Sequence, residues 1–362
     1  MKIVTFGEIM GRLTPSGVLR LRQALPGSLD VTFAGAEANV AASLSLFGMR
    51  SSFVTALPSN VIADACVASL DSLGVDTQHI IRSEEGRLGL YFLETGANQR
   101  PSQVIYDRDG SSISLMPPDQ YDWKEVFDGA TWFHVTGITP AISKLAADST
   151  MAAVRTAKEF GITVSCDLNF RKKLWRWDKD LAPRELAEKT MRALLPFVDI
   201  VIANEEDCGD VLNIRAGDTD VHSGSLNIDR YPDVARQLTQ QFPNVSLVAI
   251  TLRESISASH NNWGGTLYDR KNDVAHFAPM LGDEYQPYSI TNIVDRVGAG
   301  DSFAAGLIFA LNSNEFKAPK DVIRFAVASS CLAHSIVGDC NFSTRAEVEA
   351  LMKGAVSGRV IR

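Results

Sequence analysis

The run of residues 295–306, DRVGAGDSFAAG, carries the residue types that bind and transfer phosphate groups. Beyond the glycines, Phe303 and Leu307 recur at helical spacing, so Gly298 and Gly300 lie where a turn enters a helix. Glycine has no Cβ, which lets the backbone approach a ligand closely. The free N–H groups and the positive dipole end of a helix N-terminus attract anions. The run therefore predicts a phosphate-binding turn.

Asp301 follows this turn directly, which allows two roles for its side chain. As a helix cap, an Asp accepts hydrogen bonds from the first backbone amides, and Asp does this in most such places. Facing a bound phosphate, a carboxylate is repulsive unless it takes a proton from an attacking hydroxyl during phosphoryl transfer. Spacing alone supports the capping role and the catalytic role about equally.

Other glycine-rich motifs do not fit this run. A dinucleotide-binding G-x-G-x-x-G/A fingerprint needs Gly or Ala at the position of Phe303, and it normally lies on the first βα turn. A Walker A loop needs Gly-Lys, which occurs nowhere in the chain, and the HRD and DFG signatures of protein kinases are missing as well. An NAD-dependent oxidoreductase is therefore a distant alternative.

The segments that must position the turn alternate between apolar strands and helices. Three apolar runs end in polar residues: 162–165 before Asp167, 200–203 before Asn204 and Asp207, and 247–250 before Thr251 and Arg253. This alternation predicts an α/β fold of the doubly wound type, a mostly parallel sheet flanked by helices. Ligands bind beyond the carboxyl ends of such strands. Helix capping or turn chemistry explains any one of these polar residues equally well.

Two segments break the alternation, residues 13–34 and 87–108, and we predict that they form a small β-sheet lid. The remaining residues, 1–12, 35–86 and 109–362, are then one α/β domain. Two polar stretches, 213–232 and 255–265, predict surface loops.

Composition limits the function classes. The chain has 362 residues, of which 45% are hydrophobic and 22% charged, as in ordinary folded proteins. A net charge of −8 argues against nucleic-acid binding. The short basic run at residues 170–177, FRKKLWRW, is only weak evidence for such binding. The five cysteines form no CxxC pair, so neither disulfides nor a zinc site is predicted. No run approaches the ~18 apolar residues of a membrane span, and the N-terminus lacks a signal-peptide core, so we expect a cytoplasmic protein.

The run DRVGAGDSF resembles the signature DTxGAGDxF of the ribokinase-like (PfkB) family of carbohydrate kinases, with Arg296 in place of the usual Thr. Residues 34–41 and 73–77 are similar to further elements of that family, so the resemblance covers essentially the whole chain. It implies a doubly wound α/β domain with a β-lid and ATP-dependent phosphorylation of a sugar hydroxyl. It also implies Mg²⁺ that enters with ATP rather than a protein-held metal, and K⁺ as a candidate activator.

The resemblance implies roles for individual residues of the turn. Asp301 would be the catalytic base. Gly298, Ala299 and Gly300 would supply the backbone amides that stabilise the transferred charge.

On the nucleotide side, the resemblance assigns Asn204, Asp207, Arg253, Gly298, Gly300 and His334 to ATP. The family's Asn-x-x-Glu tetrad ends here in Asp207, which departs from the pattern. Arg253 replaces a usual Gly, and a plain surface role for it is as well supported as phosphate binding. His334 belongs to the run 333–339, which resembles a stretch near the adenine pocket.

Within the family, the separated motifs look most like the kinases that phosphorylate the C6 hydroxyl of a sugar acid, 2-keto-3-deoxygluconate. The residues this assigns to the substrate are Gly35, Tyr91, Tyr106, Arg108 and Arg171. A sugar carboxylate favours guanidinium and phenol donors. Arg108 and Arg171 could converge from opposite sides of one cleft with Tyr91 and Tyr106. Packing explains each Tyr better by itself, but the four residues together favour a ligand role.

Two other functions stay open at this point: a fructokinase-like kinase of the same family, and a non-catalytic regulator that binds sugar or nucleotide. Retention of Asp301 with Gly298 and Gly300 argues against the regulator. Lids of this family pair edge to edge, so the resemblance implies a homodimer or larger homo-oligomer formed through the lid, with exposed strand edges covered.

Overall fold

The computed structural model describes residues 1–204, 206–215 and 228–354. Its strands are β1 (Lys2–Phe6), β2 (Met10–Thr14), β3 (Asp30–Ala34), β4 (Arg50–Pro58), β5 (Ile80–Ser83), β6 (Gly89–Glu94), β7 (Gln103–Asp107), β8 (Ala130–Thr136), β9 (Thr163–Asp167), β10 (Ile200–Ala203), β11 (Leu247–Ser257), β12 (His260–Asp269), β13 (Val274–Ala278), β14 (Met280–Leu281), β15 (Glu284–Tyr285) and β16 (Tyr288–Ile290). Its helices are α1 (Leu21–Ala24), α2 (Ala36–Leu46), α3 (Val61–Ser72), α4 (Ser112–Leu115), α5 (Trp123–Val126), α6 (Thr139–Ile142), α7 (Lys144–Glu159), α8 (Pro183–Leu194), α9 (Asp207–Leu212), α10 (Tyr231–Gln241), α11 (Ala299–Asn312), α12 (Pro319–Ala333) and α13 (Arg345–Met352).

The central sheet has the strand order β13-β12-β11-β10-β9-β8-β1-β4-β5, with β16 paired to β12. Neighbours from β11 through β5 run parallel, and β12 and β13 continue the sheet antiparallel. Strand β10 is buried along its whole length, as expected for a parallel strand covered on both faces. The predicted doubly wound, mostly parallel sheet is confirmed.

Each face of the sheet has its own apolar layer. Ile3 packs into one layer with residues of α2, α11 and α12. Val4, the next residue of β1, points the other way and packs with residues of α7, α8 and α10. The helix that follows the predicted phosphate-binding turn, α11, is therefore held firmly against the sheet. None of the described helices has both the length and the apolar content needed to cross a bilayer.

A separate small sheet has the order β3-β2-β6-β7, with β2 and β6 parallel and the outer pairs antiparallel. We call this sheet the lid. Met10 and Arg12 of β2, and Tyr91 and Leu93 of β6, point to its buried face. Strand β2 starts before residue 13, where the lid boundary was predicted.

The prediction of a surface loop at 255–265 is wrong. Most of that stretch belongs to the β11–β12 hairpin, in which Arg253 pairs with Trp263. Its polar residues are packed rather than solvated: Asn261 is 1% exposed. A Cβ on Gly265 would lie 3.0 Å from a methyl group of Val327, so this glycine marks close packing in a strand rather than a turn. Of the other predicted loop, residues 216–227 lie outside the described residues.

Arg12 joins the lid to the α/β domain. Its guanidinium forms ion pairs with Asp295 and Asp339, and all three side chains are nearly inaccessible to solvent. Burial alone would lower the pKa of Arg12, but the two carboxylates outweigh it and raise that pKa. Asp295 also accepts hydrogen bonds from the backbone amides of Arg296 at 2.8 Å and Val297 at 3.2 Å. The ion pairs thus hold the start of the glycine run against the lid.

We predict that Arg12→Ala lowers the free energy of unfolding by about 3–5 kcal/mol, because two buried carboxylates lose their cation. Urea unfolding measures this loss. The matched control is Arg87→Ala, which removes a solvent-exposed ion pair between Arg87 and Asp107 on the same lid. Its effect should be much smaller, since exposed pairs contribute little. Equal losses for the two variants would contradict the role of Arg12.

Candidate active site

A cavity of about 350 Å³ lies between the lid and the carboxyl ends of the central strands. Lid residues such as Tyr91 form one wall, and strand-end residues such as Asp167 form the other. Every site residue predicted from the sequence lines this cavity: Gly35, Tyr91, Tyr106, Arg108, Arg171, Asn204, Asp207, Arg253, Gly298, Ala299, Gly300, Asp301 and His334. Residues distant in the chain therefore share one site.

The glycine run forms the predicted turn. Gly298 precedes α11 with φ 84°, a conformation that other residues rarely adopt, and a Cβ there would lie 2.0 Å from the Asp339 carbonyl oxygen. At Gly300 a Cβ would have nothing within 4 Å, so the backbone there borders open space. The first amides of a helix have no acceptor within it, and no side chain among the described residues caps α11. These amides are available to an anion.

Asp301 lies in the first turn of α11 and makes no capping bond. Its Oδ2 instead accepts a hydrogen bond from Asn39 Nδ2 on α2 at 2.7 Å. Burial raises the pKa of Asp301 to about 7; the Asn39 hydrogen bond opposes this shift, and the nearby Asp339 and Glu37 add to it. A carboxyl group of this kind is half ionised near neutral pH and can accept a proton from a bound hydroxyl.

Two further acids on the cavity wall have different surroundings. Burial, with the charges of Asp207 and Asp301, raises the pKa of Asp167 well above its usual range. Asp207 accepts hydrogen bonds from the backbone amides of Asn204 at 3.0 Å and Phe170 at 3.1 Å. Asp207, which stands where the family's tetrad has Glu, therefore links the segments that follow β9 and β10, because each of its oxygens accepts a hydrogen bond from a backbone amide.

On the lid side, two predicted substrate-binding groups already have protein partners. The Tyr91 hydroxyl donates a 2.6 Å hydrogen bond to Asp339, so towards a ligand it offers only a lone pair. Arg108 Nε donates to Glu8 Oε2 at 2.7 Å, and its Nη2 also pairs with that oxygen. Among the described residues, Nη1 of Arg108 has no acceptor.

The other two polar groups near the lid are less engaged. The Tyr106 ring lies beneath the Arg108 guanidinium, 5.4 Å from ring centroid to Cζ. Arg171 is exposed, and its one hydrogen bond goes to the Phe170 carbonyl at 3.2 Å. No carboxylate in the described part of the chain lies within ion-pair distance of Arg171. Its positive charge is therefore available to an anionic ligand.

At the other end of the cavity, His334 and Trp263 pack edge to face, with ring centroids 4.8 Å apart. His334 Nδ1 donates to the Ser330 carbonyl at 2.9 Å. Burial lowers the pKa of His334 to about 4, so the imidazole is neutral at neutral pH. The two rings thus offer an uncharged aromatic surface at this end.

Sequence reasoning did not identify Glu8, Asn39 or Asp339 as cavity residues, or Arg12 as the residue that joins the lid to the turn. Asn39 and Asp339 lie inside segments that carried the family resemblance, but their partners are far away in the chain. A signal existed for Arg12: it shares a strand face with Met10, and a charge on the buried face of a strand requires a partner.

No group of three or more His, Cys, Asp or Glu side chains among the described residues is arranged to hold a metal ion. Mg²⁺ prefers oxygen ligands and commonly binds through phosphates and water with one or two carboxylates. Asp167 on the cavity wall offers carboxyl oxygens of this kind, whereas both Asp207 oxygens and Asn204 Oδ1 already accept backbone amides. This fits a metal delivered with a nucleotide rather than one held by the protein.

Comparisons with known proteins agree with this geometry. The model of the pfkB family of carbohydrate kinases matches residues 1–252 and 280–345. A 2-dehydro-3-deoxygalactonokinase of Haloferax volcanii is 30% identical over 357 residues, covering 99% of this chain and 98% of that protein. The crystal structure of a 2-dehydro-3-deoxygluconokinase from Thermotoga maritima is 44% identical, with a TM-score of 0.87 and 98% of each chain covered. Fructokinase-2 of Solanum habrochaites is 28% identical, covering 97% of this chain and 96% of that protein.

A lidded, doubly wound sheet whose glycine turn faces an acid defines a ribokinase-like kinase. The chain belongs to the PfkB family of carbohydrate kinases. It is a carbohydrate kinase that acts on a sugar and ATP, in a family that typically uses Mg²⁺. The family resemblance predicted from the motifs is confirmed, and the oxidoreductase and non-catalytic alternatives are removed.

We predict that the Asp301 carboxyl titrates near pH 7 and that Asn39→Ala raises its pKa further. The Asn39 amide donates to the ionised form, so its removal favours the protonated form. Carbon-13 NMR of labelled aspartate carboxyls measures both values, with Asp301→Asn assigning the signal. A midpoint near the ordinary value of about 3.9, or one that Asn39→Ala leaves in place, would contradict this electrostatic description.

Proposed function

We propose that this kinase transfers the γ-phosphoryl group of ATP to the C6 hydroxyl of 2-keto-3-deoxygluconate, giving 2-keto-3-deoxy-6-phosphogluconate. The observation that carries the proposal is that one cavity holds Asp301, the anion-binding turn and a wall with available arginine donors. The names of the Haloferax and Thermotoga relatives support a keto-deoxy sugar acid as the substrate class.

In this proposal Asp301 is the general base. The sugar hydroxyl gives its proton to Asp301 while its oxygen forms a bond to the γ-phosphorus, and the bond from that phosphorus to the β–γ bridging oxygen breaks to release ADP. Base action of this kind contributes about 10²–10⁴ in rate. The pKa of about 7 for Asp301 predicts that activity falls as the pH drops below neutrality, because the protonated Asp301 carboxyl cannot accept the proton of the sugar hydroxyl.

The turn stabilises the transferred group. The amides of Gly298, Ala299 and Gly300 point to where charge develops on the phosphoryl oxygens, and they need no reorganisation because α11 is packed on the sheet. Mg²⁺ bound with ATP supplies further neutralisation of phosphate charge.

The nucleotide occupies the side of the cavity formed by Asn204, Asp207, Arg253 and His334. The neutral His334 and its aromatic neighbour suit a base, and Arg253 suits a phosphate. Asp207 acts through the segments after β9 and β10 that it links. We include K⁺ as an activator because the family resemblance implies it.

On the sugar side, Gly35 lines the cavity. It must be a glycine because a Cβ there would lie 2.0 Å from the Glu8 carbonyl oxygen. Arg171, the free Nη1 of Arg108 and the Tyr106 hydroxyl face the sugar carboxylate, and guanidinium groups bind carboxylates with strong charge-assisted hydrogen bonds. Tyr91 accepts a hydrogen bond from a sugar hydroxyl rather than donating one.

A fructokinase-like activity is the second candidate. One contact favours a fructokinase-like activity: Glu8 forms an ion pair with Arg108, which reduces the electrostatic attraction between the lid and a substrate carboxylate. A neutral ketose would tolerate this pairing better than an acid would.

The testing experiment is a substrate panel with ATP and Mg²⁺, with and without K⁺. It contains 2-keto-3-deoxygluconate, its galactonate epimer, fructose and ribose. We expect the highest kcat/KM for a keto-deoxy acid, and a loss of about tenfold or more with Arg171→Ala or Arg108→Ala for acids but not for ketoses, since each removes a charge-assisted bond. ADP release measures turnover, and NMR of the product locates the phosphate.

Asp301→Asn provides the control for chemistry, because it keeps the size of the side chain without its basicity. It should fold, bind ATP and lose nearly all turnover. Normal turnover in this variant excludes the proposed base. Preference for fructose, unaffected by Arg108→Ala, selects the fructokinase function instead.

We also propose that two copies of the chain associate through their lids. An apolar row crosses the outer face of the lid in register: Val31 opposite Leu13, Leu13 opposite Phe92, and Phe92 opposite Ile105. The end members are well exposed, Val31 at 59% and Ile105 at 53%. An apolar face of this kind is stabilised by a partner with the same face.

We predict that Val31→Lys combined with Ile105→Lys converts a dimer or larger even oligomer into a monomer, because four added charges meet across the pair of lids. Size-exclusion chromatography with light scattering measures the mass. Val61→Lys, at an apolar position 79% exposed outside the lid, is the control and should leave the oligomer intact. A monomeric wild type disproves lid pairing.

A further inference from the structure

Arg296 lies two positions before the Gly298 turn and lines the cavity, but the proposed reaction gives it no role. Its Nη2 donates to Asn261 Oδ1 at 2.9 Å and to the Ser257 carbonyl at 3.2 Å. Both acceptors are neutral oxygens near the tip of the β11–β12 hairpin. These contacts orient the guanidinium without neutralising it.

The charge of Arg296 has no carboxylate partner within ion-pair distance in the described part of the chain. Its nearest acid in sequence, Asp295, is already committed: that carboxylate pairs with Arg12 and accepts backbone amides of residues 296, 297 and 338. In addition, Arg296 Nε is buried with no hydrogen-bond acceptor, and no described residue accepts from Nη1. A half-buried cation with donors left over can bind an anion that enters the cavity.

A second arginine, Arg253, adds positive charge to the same cavity wall. Arg253 on β11 lines the same wall, opposite Trp263 in the hairpin register. Burial and the charge of Arg253 lower the pKa of Arg296. Two positive charges on one wall favour the binding of an anion near them. Arg296 also lies two positions before the turn whose amides are open to an anion.

We propose that Arg296, oriented by Asn261 and Ser257 and assisted by Arg253, binds the phosphate chain of the donor and makes the enzyme selective for a donor with several linked phosphates. The inference deepens the proposed function and rests on its placement of the donor at this end of the cavity. The sugar carboxylate is not the expected ligand, because its arginines, Arg108 and Arg171, come from the lid and from the loop after β9. Guanidinium groups match phosphate oxygens in bidentate geometry.

The test compares Arg296→Gln with Arg296→Lys. Gln keeps an amide donor for Asn261 but removes the charge, whereas Lys keeps the charge. Calorimetry measures binding of inorganic tripolyphosphate, which carries linked phosphates without a base or sugar, and steady-state kinetics gives KM for ATP and for the sugar. For Arg296→Gln we expect tripolyphosphate binding and KM for ATP to worsen about 10–100-fold, the loss of a hydrogen bond between charged groups. KM for the sugar should change less than about twofold. Lys should recover only part of the loss, because it restores the charge without the bidentate geometry of a guanidinium.

A purely structural role for Arg296 in the hairpin gives a different pattern. Gln and Lys would then alter thermal stability and all kinetic constants together, and tripolyphosphate binding would not separate the two variants. Arg324→Gln is the matched control, because Arg324 is also a partly buried arginine that donates to a backbone carbonyl, that of Met352 at 2.8 Å, away from the cavity. It should leave tripolyphosphate binding unchanged. Unchanged tripolyphosphate binding in Arg296→Gln overturns the inference.

The outcome also separates this inference from the proposed function. If sugar acids are phosphorylated but Arg296→Gln binds tripolyphosphate normally, the function stands and the phosphate role of Arg296 fails. If tripolyphosphate binding depends on the charge of Arg296 while no sugar acid is a substrate, the donor site stands and the proposed acceptor fails.

Discussion

The buried guanidinium of Arg12 holds the lid and the glycine turn of this kinase together. Arg12 reaches from the lid to Asp295 and Asp339, so one guanidinium connects the lid with the glycine turn. Asp339 also accepts the Tyr91 hydroxyl, and its backbone carbonyl lies against Gly298. Buried charges of this kind tolerate little displacement, because an unpaired carboxylate in the interior is costly. The position of the lid and the shape of the turn are therefore not independent of each other.

The features that sequence reasoning predicted correctly have local causes. Buried parallel strands are continuous apolar runs, and the glycine turn is specified by residues within one short segment. Residues such as Asp167 and Asn204 could be placed at the site because the carboxyl ends of parallel strands meet along one edge of the sheet. The topology thus converts local patterns into one cavity, which is why the predicted site residues meet there.

The features that it missed depend on contacts across the chain. Arg12 and Asp339 are 327 positions apart, and Arg108 and Glu8 are 100 apart, so no local pattern reveals either pairing. The same limit explains the error over the β11–β12 hairpin: Gly265 and Asn261 are typical of loops until their packing neighbours are known. It also explains why Tyr91 and Arg108 were assigned to a ligand alone, when each is already bound to an acid of the protein.

The contact between Asn39 and Asp301 has a consequence for how the enzyme is made. The two residues are 262 positions apart, and each belongs to a helix whose end faces the cavity. A growing polypeptide that has released the lid and α2 from the ribosome still lacks the acid and the amides of the turn. The contact can therefore form only after α11 has been synthesised, and a fragment from either side of the molecule contains only one of its two partners.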